Sequence, residues 1–251
     1  MIKGVLLDLS GTVYEDDKLI PGALEAIEPL HASGFPVRYL TNSSRIPRNK
    51  ILSRLQGMGF TVHAEQIFTA PAAIQDYLRE HSLTPWLLIH PDIEEEFTEF
   101  HGQSPDAVVV CDAEHAFSYE NLNRAFRLLI DGASLLAVGD NRYFKQAEGL
   151  SLDAGPFVRA LEYAVDCEAI VLGKPSQAFF HAAVAQLGCK PSEVLMIGDD
   201  VYSDINGALK AGLKATLVRT GKYRPGDEGK IVEPGASVCD DLLEALRDFQ
   251  A

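Results

Sequence analysis

The chain has 251 residues, 47% of them apolar, and carries 22 basic against 36 acidic side chains for a formal net charge of −14. That length can bury a core as one large or two modest domains; the acidic balance argues against nucleic acid, whose phosphates need a positive surface, and no apolar run approaches the about 18 residues of a membrane span. Cys111, Cys167, Cys189 and Cys239 lie far apart with no CxxC spacing and read as reduced, packed thiols, and Met1 leads straight into an apolar strand, so a cytoplasmic protein is expected.

Residues 2–8 read as a strand, and Gly11 to Ile20 as a small hairpin with Asp16-Asp17 at its tip. Pro21 sits where a first helical turn tolerates it, and ALEAIEPLHASG keeps helical spacing up to Gly34. Residues 36–41 form a second strand, and IPRNKILSRLQGMG a second helix ending near Gly57 or Gly59. This βαβα opening predicts a parallel sheet. The middle of the chain is a second α/β set: WLLIH, a helix around 92–101, AVVVCD, a helix from Ser118 to about Asp131, SLLAVG, and a helix near 156–165. Junctions near Ala70-Pro71 and Gly173-Lys174-Pro175 are the predicted hinges. The alternation then resumes with a helix at 176–187, the strand VLMIGD, a helix from about Asp204 to Ala211, the strand ATLVRT and a terminal helix at 240–249.

Four polar signals each close an apolar run: Asp8 in VLLDLSGT, Thr41 in VRYLTNSS, Lys174 in IVLGKP and Asp199 in VLMIGDDVYSD. In isolation each has an ordinary reading as a cap, a turn or a surface lysine. Together they point to one phosphoryl-transfer site, because the carboxyl ends of parallel strands share a rim where such sheets bind ligands. Asp8 is ionised at neutral pH and can attack phosphorus without a base, but its charge would repel a phosphate unless a metal screened it. Asp199 and Asp204, five residues apart, offer the hard oxygens that Mg2+ prefers, with Asp200 in support. A hydroxyl and backbone N–H groups at Thr41 and Asn42 suit phosphate oxygens, and Lys174 would neutralise charge on nucleophile and phosphoryl group. The seven histidines, among them His31, His90, His101 and His115, show no ligand spacing, and Glu94 to Glu96 read as a solvated helix start.

The order DxxGT, TNSS, GKP and GDDxxxDINGAxxAG, with about 100 residues of extra α/β sequence between the second and third, resembles the haloacid dehalogenase superfamily of phosphatases over essentially the whole chain. It is most similar to the subclass with a large α/β cap inserted after the second motif. The fourth motif and its LVRTGKYRPGDE continuation are the most specific part. DLSGTVY, LLIHPD, SYENLNRAF, NRYFK and LDAGPFVRALEYA look like the branch of phospholysine phosphohistidine inorganic pyrophosphate phosphatases and their near relatives.

The resemblance implies an α/β fold with a Rossmann-like parallel-sheet core, residues 1–71 and 171–251, and an inserted α/β cap, residues 72–170. It implies Asp8 as nucleophile, Mg2+ held by Asp8, Asp199 and the main-chain carbonyl of Ser10, and Asp204 supporting the metal shell and Lys174. Thr41, Asn42 and Ser43, with Ser10 and Lys174, would bind the phosphoryl group, and cap loops at Asn141 to Tyr143 and Asp153 to Gly155 would contact substrate. The expected partner is a small phosphorylated substrate or a phosphoamino acid, with neither nucleic acid nor membrane; a homodimer through the cap is the self-association to test. One position departs from the family pattern: the usual second Asp, a proton donor to the leaving group, is Ser10. A serine hydroxyl is a poor general acid, so activated leaving groups such as a phosphoamide, pyrophosphate or aryl phosphate should be favoured. A phosphate-binding protein with little or no turnover is the alternative.

Overall fold

The structure, a computed structural model, describes residues 1–100, 102–146 and 149–247. It divides into two compact units, Met1–Thr41 with Arg48–Phe68 and Lys174–Ala251, and Asn42–Pro47 with Thr69–Gly173. In chain order the elements are β1 (Gly4–Asp8), β2 (Tyr14–Glu15), β3 (Lys18–Leu19), α1 (Ala23–Ala32), β4 (Val37–Thr41), α2 (Arg48–Gly57), β5 (Ile67–Thr69), α3 (Ala70–His81), β6 (Pro85–Leu88) and β7 (Ala107–Val110). There follow α4 (Tyr119–Ile130), β8 (Ser134–Ala137), β9 (Tyr143–Gln146), β10 (Gly149–Leu152), α5 (Gly155–Val165) and β11 (Ile170–Val171). The chain closes with α6 (Gln177–Gln186), β12 (Val194–Gly198), α7 (Gly207–Lys210), β13 (Lys214–Val218), β14 (Ala236–Cys239) and α8 (Leu242–Ala245).

The first unit is built on a sheet of order β14-β13-β12-β1-β4-β5, with β1 parallel to both β12 and β4. Every residue of β1 and β12 is buried, which is why GVLLD and VLMIG are unbroken apolar runs rather than alternating ones: a central parallel strand is covered on both faces. The second unit has its own parallel sheet, β11-β8-β7-β6, packed against α4 and α5 through Val108, Val110, Ala125, Leu129 and Val158, plus the β9–β10 hairpin. Among the described residues no helix is long and apolar enough to cross a membrane, and the four cysteines are free.

The division falls three residues away from the predicted boundaries on each side. Thr69 ends β5 and caps α3 by accepting a hydrogen bond from Ala72 N (3.1 Å), so the Ala70-Pro71 hinge is the first turn of a helix. Ile170–Val171 pairs with β8, and Leu172 N donates to Ala137 O (2.8 Å), which keeps the chain in the second unit up to Gly173. Asn42–Pro47 also joins that unit: the Asp112 amide donates to Ser44 Oγ (3.1 Å) and Arg45 bonds the Asp112 carboxylate.

Three predicted helices are shorter than their pattern. Around 92–101 only a 3-10 run forms, Pro91–Phe97. The helix expected from Asp204 begins as a π-helical stretch, Val201–Asn206, and continues as α7 only to Lys210. The terminal helix expected at 240–249 is α8, Leu242–Ala245, started by the Asp241 side chain accepting from Glu244 N (2.8 Å); residues 248–251 and His101 lie outside the described residues.

Candidate active site

From β1 the sheet of the first unit grows one way through β4 and β5, and after the second unit it grows the other way through β12, β13 and β14. Such a reversal opens a crevice at the carboxyl ends of the two strands that flank it. Asp8 closes β1, and Asp199 follows Gly198 at the end of β12, the strands being in register at Leu7 and Ile197. Asp200 starts the next turn, its Oδ1 accepting from Tyr202 N (2.9 Å) and Ser203 N (3.0 Å), and that turn carries Asp204 back to the rim. Asp204 Oδ2 in turn accepts from Asp200 N (3.2 Å). Gly198 is required by this return, since a Cβ there would lie 2.3 Å from Asp204 Oδ2.

Lys174 opens the last segment of the unit and is only 4% exposed. Its Nζ donates to Asp8 Oδ1 and to Asp204 Oδ1, the latter at 2.7 Å. Burial alone would lower the lysine pKa, but Asp204 and Asp8 outweigh it and hold the group firmly charged. Asp8, Asp199 and Asp204 each present a carboxylate oxygen within 4.8 Å of the others. Three buried carboxylates against one buried ammonium leave an excess of negative charge. Burial, then Asp8 and Asp204, push Asp199 up to about 8; burial pushes Asp204 up to about 6, with Lys174 pulling the other way. Carboxylates squeezed in this manner are stabilised by a cation, and a hard all-oxygen donor set suits a divalent one.

The loops around Asp199 leave space for it and little else. Gly11 (φ 95°) and Gly221 (φ 51°) face each other across its carboxylate, and a Cβ on either would sit 2.1 Å from Asp199 Oδ2. Thr220 Oγ1 donates to Gly11 O (2.5 Å), and Lys222 N donates to Asp199 Oδ2 (2.6 Å). Thr12 Oγ1 is buried beside this turn without a hydrogen-bond partner. Sequence reasoning does not assign Gly11, Thr12, Thr220, Gly221 or Lys222 to the site. The signal was the TGK of LVRTGKYRPGDE, a motif with no chemistry legible in its residue types.

The other predicted residues fall in two places. Ser10 is exposed and bridges to Tyr14 at the root of the hairpin; Thr41, buried, ends β4 one residue beyond Leu40, the register partner of Asp8. Asn42 and Ser43 belong to the second unit, where the Asn42 side chain lies beside Gly139 and Gly173. In that unit the loops at Asn141 to Tyr143 and Asp153 to Gly155 are tied together by Asp153 N to Arg142 O (3.2 Å) and Gly155 N to Asn141 O (3.1 Å). A Cβ on Gly155 would lie 2.4 Å from Asn141 O, which explains the glycine.

A family model of haloacid dehalogenase-like hydrolases matches residues 5–103, and a second model of HAD-like hydrolases matches residues 171–245. The rat haloacid dehalogenase-like hydrolase domain-containing protein 2 is 42% identical over 98% of this chain and 95% of its own length. The human phospholysine phosphohistidine inorganic pyrophosphate phosphatase is 41% identical over 98% of this chain and 93% of its own. Among solved structures, the 4-nitrophenylphosphatase of Thermotoga maritima superposes with a TM-score of 0.88 at 27% identity, covering 98% of this chain and 97% of that one.

Proposed function

The chain belongs to the haloacid dehalogenase-like hydrolases and is a phosphatase of that family, and on that premise we propose that it is a Mg2+-dependent phosphohydrolase working through an aspartyl phosphate on Asp8. The observation that carries this reading is the excess of buried carboxylate around Lys174 at the strand-order reversal. Asp8 forms the bond to phosphorus as the leaving-group bond breaks, and water then attacks the aspartyl phosphate and releases phosphate. Lys174 stays protonated, neutralises the nucleophile before attack and the transferred oxygens after it, and keeps Asp204 in place. Thr41, Asn42 and Ser43 would hold phosphoryl oxygens. Asp8, Asp199 and the Ser10 carbonyl would hold Mg2+, which when bound supplies the positive charge that lets two anions approach. The three buried carboxylates, each with an oxygen within 4.8 Å of the others, fit such an ion.

The second unit would serve as the cap, with Tyr143 and Asp153 selecting the leaving group of a small phosphorylated substrate or phosphoamino acid in the cytoplasm. Self-association would form a homodimer through this unit. Two relatives are named for activities on phosphoamides with pyrophosphate and on an aryl phosphate, and Ser10 gives a physical reason for the same preference here. Without a carboxylic acid at that position, alkoxide leaving groups lack a proton donor, at a cost of about 100 to 10,000-fold. Rates on a phosphoamide, pyrophosphate, p-nitrophenyl phosphate and glucose 6-phosphate, each with and without Mg2+, test the proposal. Glucose 6-phosphate should be slowest, and Ser10→Asp should narrow its gap to the aryl ester by about tenfold or more. Wild-type rates that are equal on sugar and aryl phosphates would remove the argument from Ser10.

A further inference from the structure

Thr220-Gly221-Lys222 clamps the site through one hydroxyl and one backbone amide, and the Lys222 ammonium takes no part in that clamp. Among the described residues, Lys222 Nζ pairs with Asp200 Oδ2, at 3.3 Å, on a side chain that is 69% exposed. Lys174, the other cation of the cluster, is committed: at 4% exposure it cannot turn away without stranding Asp204, which is 1% exposed, as an unpaired buried charge. Asp200 makes no such demand. Its side chain is 22% exposed, and its Oδ1 keeps the Tyr202 and Ser203 amides whether or not Lys222 stays. Lys222 is thus a flexible, strongly charged stem at the rim of the carboxylate cluster that can exchange its partner at little cost.

We propose that Lys222 is a specificity residue whose ammonium leaves Asp200 to bind a second anionic group attached to the transferred phosphoryl group, so that the site discriminates pyrophosphate-type substrates from monoesters. The assignment rests on the phosphohydrolase reading above. The bond from Asp8 to phosphorus forms, the bridging P–O bond breaks, and its electron pair departs on inorganic phosphate. That leaving group needs charge compensation rather than a proton, so Lys222 supplies what it requires and the absence of an acid at Ser10 does not slow it.

The test is kcat/KM for pyrophosphate and for p-nitrophenyl phosphate in saturating Mg2+, for wild type, Lys222→Gln and Lys222→Arg. The Lys222 main-chain amide survives both changes, so the hydrogen bond to Asp199 persists, and melting temperature with the Mg2+ dependence of aryl turnover reports whether the clamp does. Lys222→Gln should lower kcat/KM for pyrophosphate at least about tenfold more than for the aryl ester, chiefly through KM, as expected for one charge-assisted hydrogen bond. Lys222→Arg should recover most of the loss. Equal losses on both substrates, or none, overturn the assignment. Aryl turnover without pyrophosphate turnover in wild type overturns it alone, whereas a wild type inactive on both overturns the phosphohydrolase reading with it.

Discussion

Both units deliver aspartates to the carboxyl ends of parallel strands, and they treat the charge in opposite ways. In the second unit Asp112, just past β7, takes both arms of the Arg45 guanidinium, Nε at 2.5 Å and Nη2 at 3.0 Å. It also accepts Glu114 N (3.2 Å), and Arg45 stacks 4.7 Å from the centre of the Phe144 ring. Arg45 also reaches Glu114 Oε1 (3.3 Å), but that side chain is 41% exposed and solvated, so the buried Asp112 keeps the guanidinium in planar, bidentate geometry. In the first unit Lys174 is shared between Asp8 and Asp204, and Asp199, among the described residues, forms no ion pair and accepts from the Lys222 amide. A buried carboxylate with its own counterion holds a fold together; a group with too few of them is held in readiness for a cation and a substrate.

The hardest test of this contrast is Asp8→Asn, which should lower turnover of p-nitrophenyl phosphate by at least about 10,000-fold, since the amide is no nucleophile. A variant that stays fully active would remove Asp8 from the mechanism.

The charge excess should also show in pH dependence. Folded and metal-free, Asp199 keeps its proton up to about 8, well above its ordinary carboxylate value of 3.8. Between those values the folded chain holds a proton that the unfolded chain has lost, so this group's contribution to metal-free stability falls as the pH rises through that window. A cation must displace that proton, so apparent Mg2+ affinity should rise about tenfold per pH unit toward pH 8. Mg2+ should therefore raise the melting temperature more at pH 8 than at pH 6, and equal shifts would mean that these carboxylates are not the ligands.

Crowding Asp199 should act next. Gly221→Ala places a Cβ 2.1 Å from Asp199 Oδ2 and 2.5 Å from Gly11 Cα, and should weaken Mg2+ binding by about tenfold or more, read from the Mg2+ dependence of turnover. Gly34→Ala, also at positive φ but with nothing within 4 Å, should cost about 1 kcal/mol of backbone strain and leave Mg2+ binding alone. The smallest effect on activity belongs to the second unit. Asp112→Asn should cost roughly 2 kcal/mol of stability by urea unfolding while kcat changes less than about threefold. If it silenced the enzyme as Asp8→Asn does, the distinction between the two kinds of aspartate would collapse.

Asp8, Lys174, Asp199 and Asp204 were legible in the sequence for a simple reason. A parallel strand covered on both faces is an unbroken apolar run, and the polar residue that ends it stands at the rim. The same rule passes over β5 and β14, three- and four-residue strands at the two edges of the sheet, and over the β9–β10 hairpin, whose Tyr143, Leu150 and Leu152 are exposed and carry no burial pattern. The sequence by itself thus determined the alternating α/β architecture and the chemistry of the strand ends, because both follow from local hydrophobic periodicity. Only the tertiary structure decided that Asn42–Pro47 joins the second unit, that Thr220 reaches across 209 positions to Gly11, and that Gly11, Gly221 and the Lys222 amide close around Asp199. Those depend on which loops close over which strand ends and how much water they exclude, and a carboxylate's affinity for a proton or a metal is set by that surrounding rather than by its neighbours in the chain.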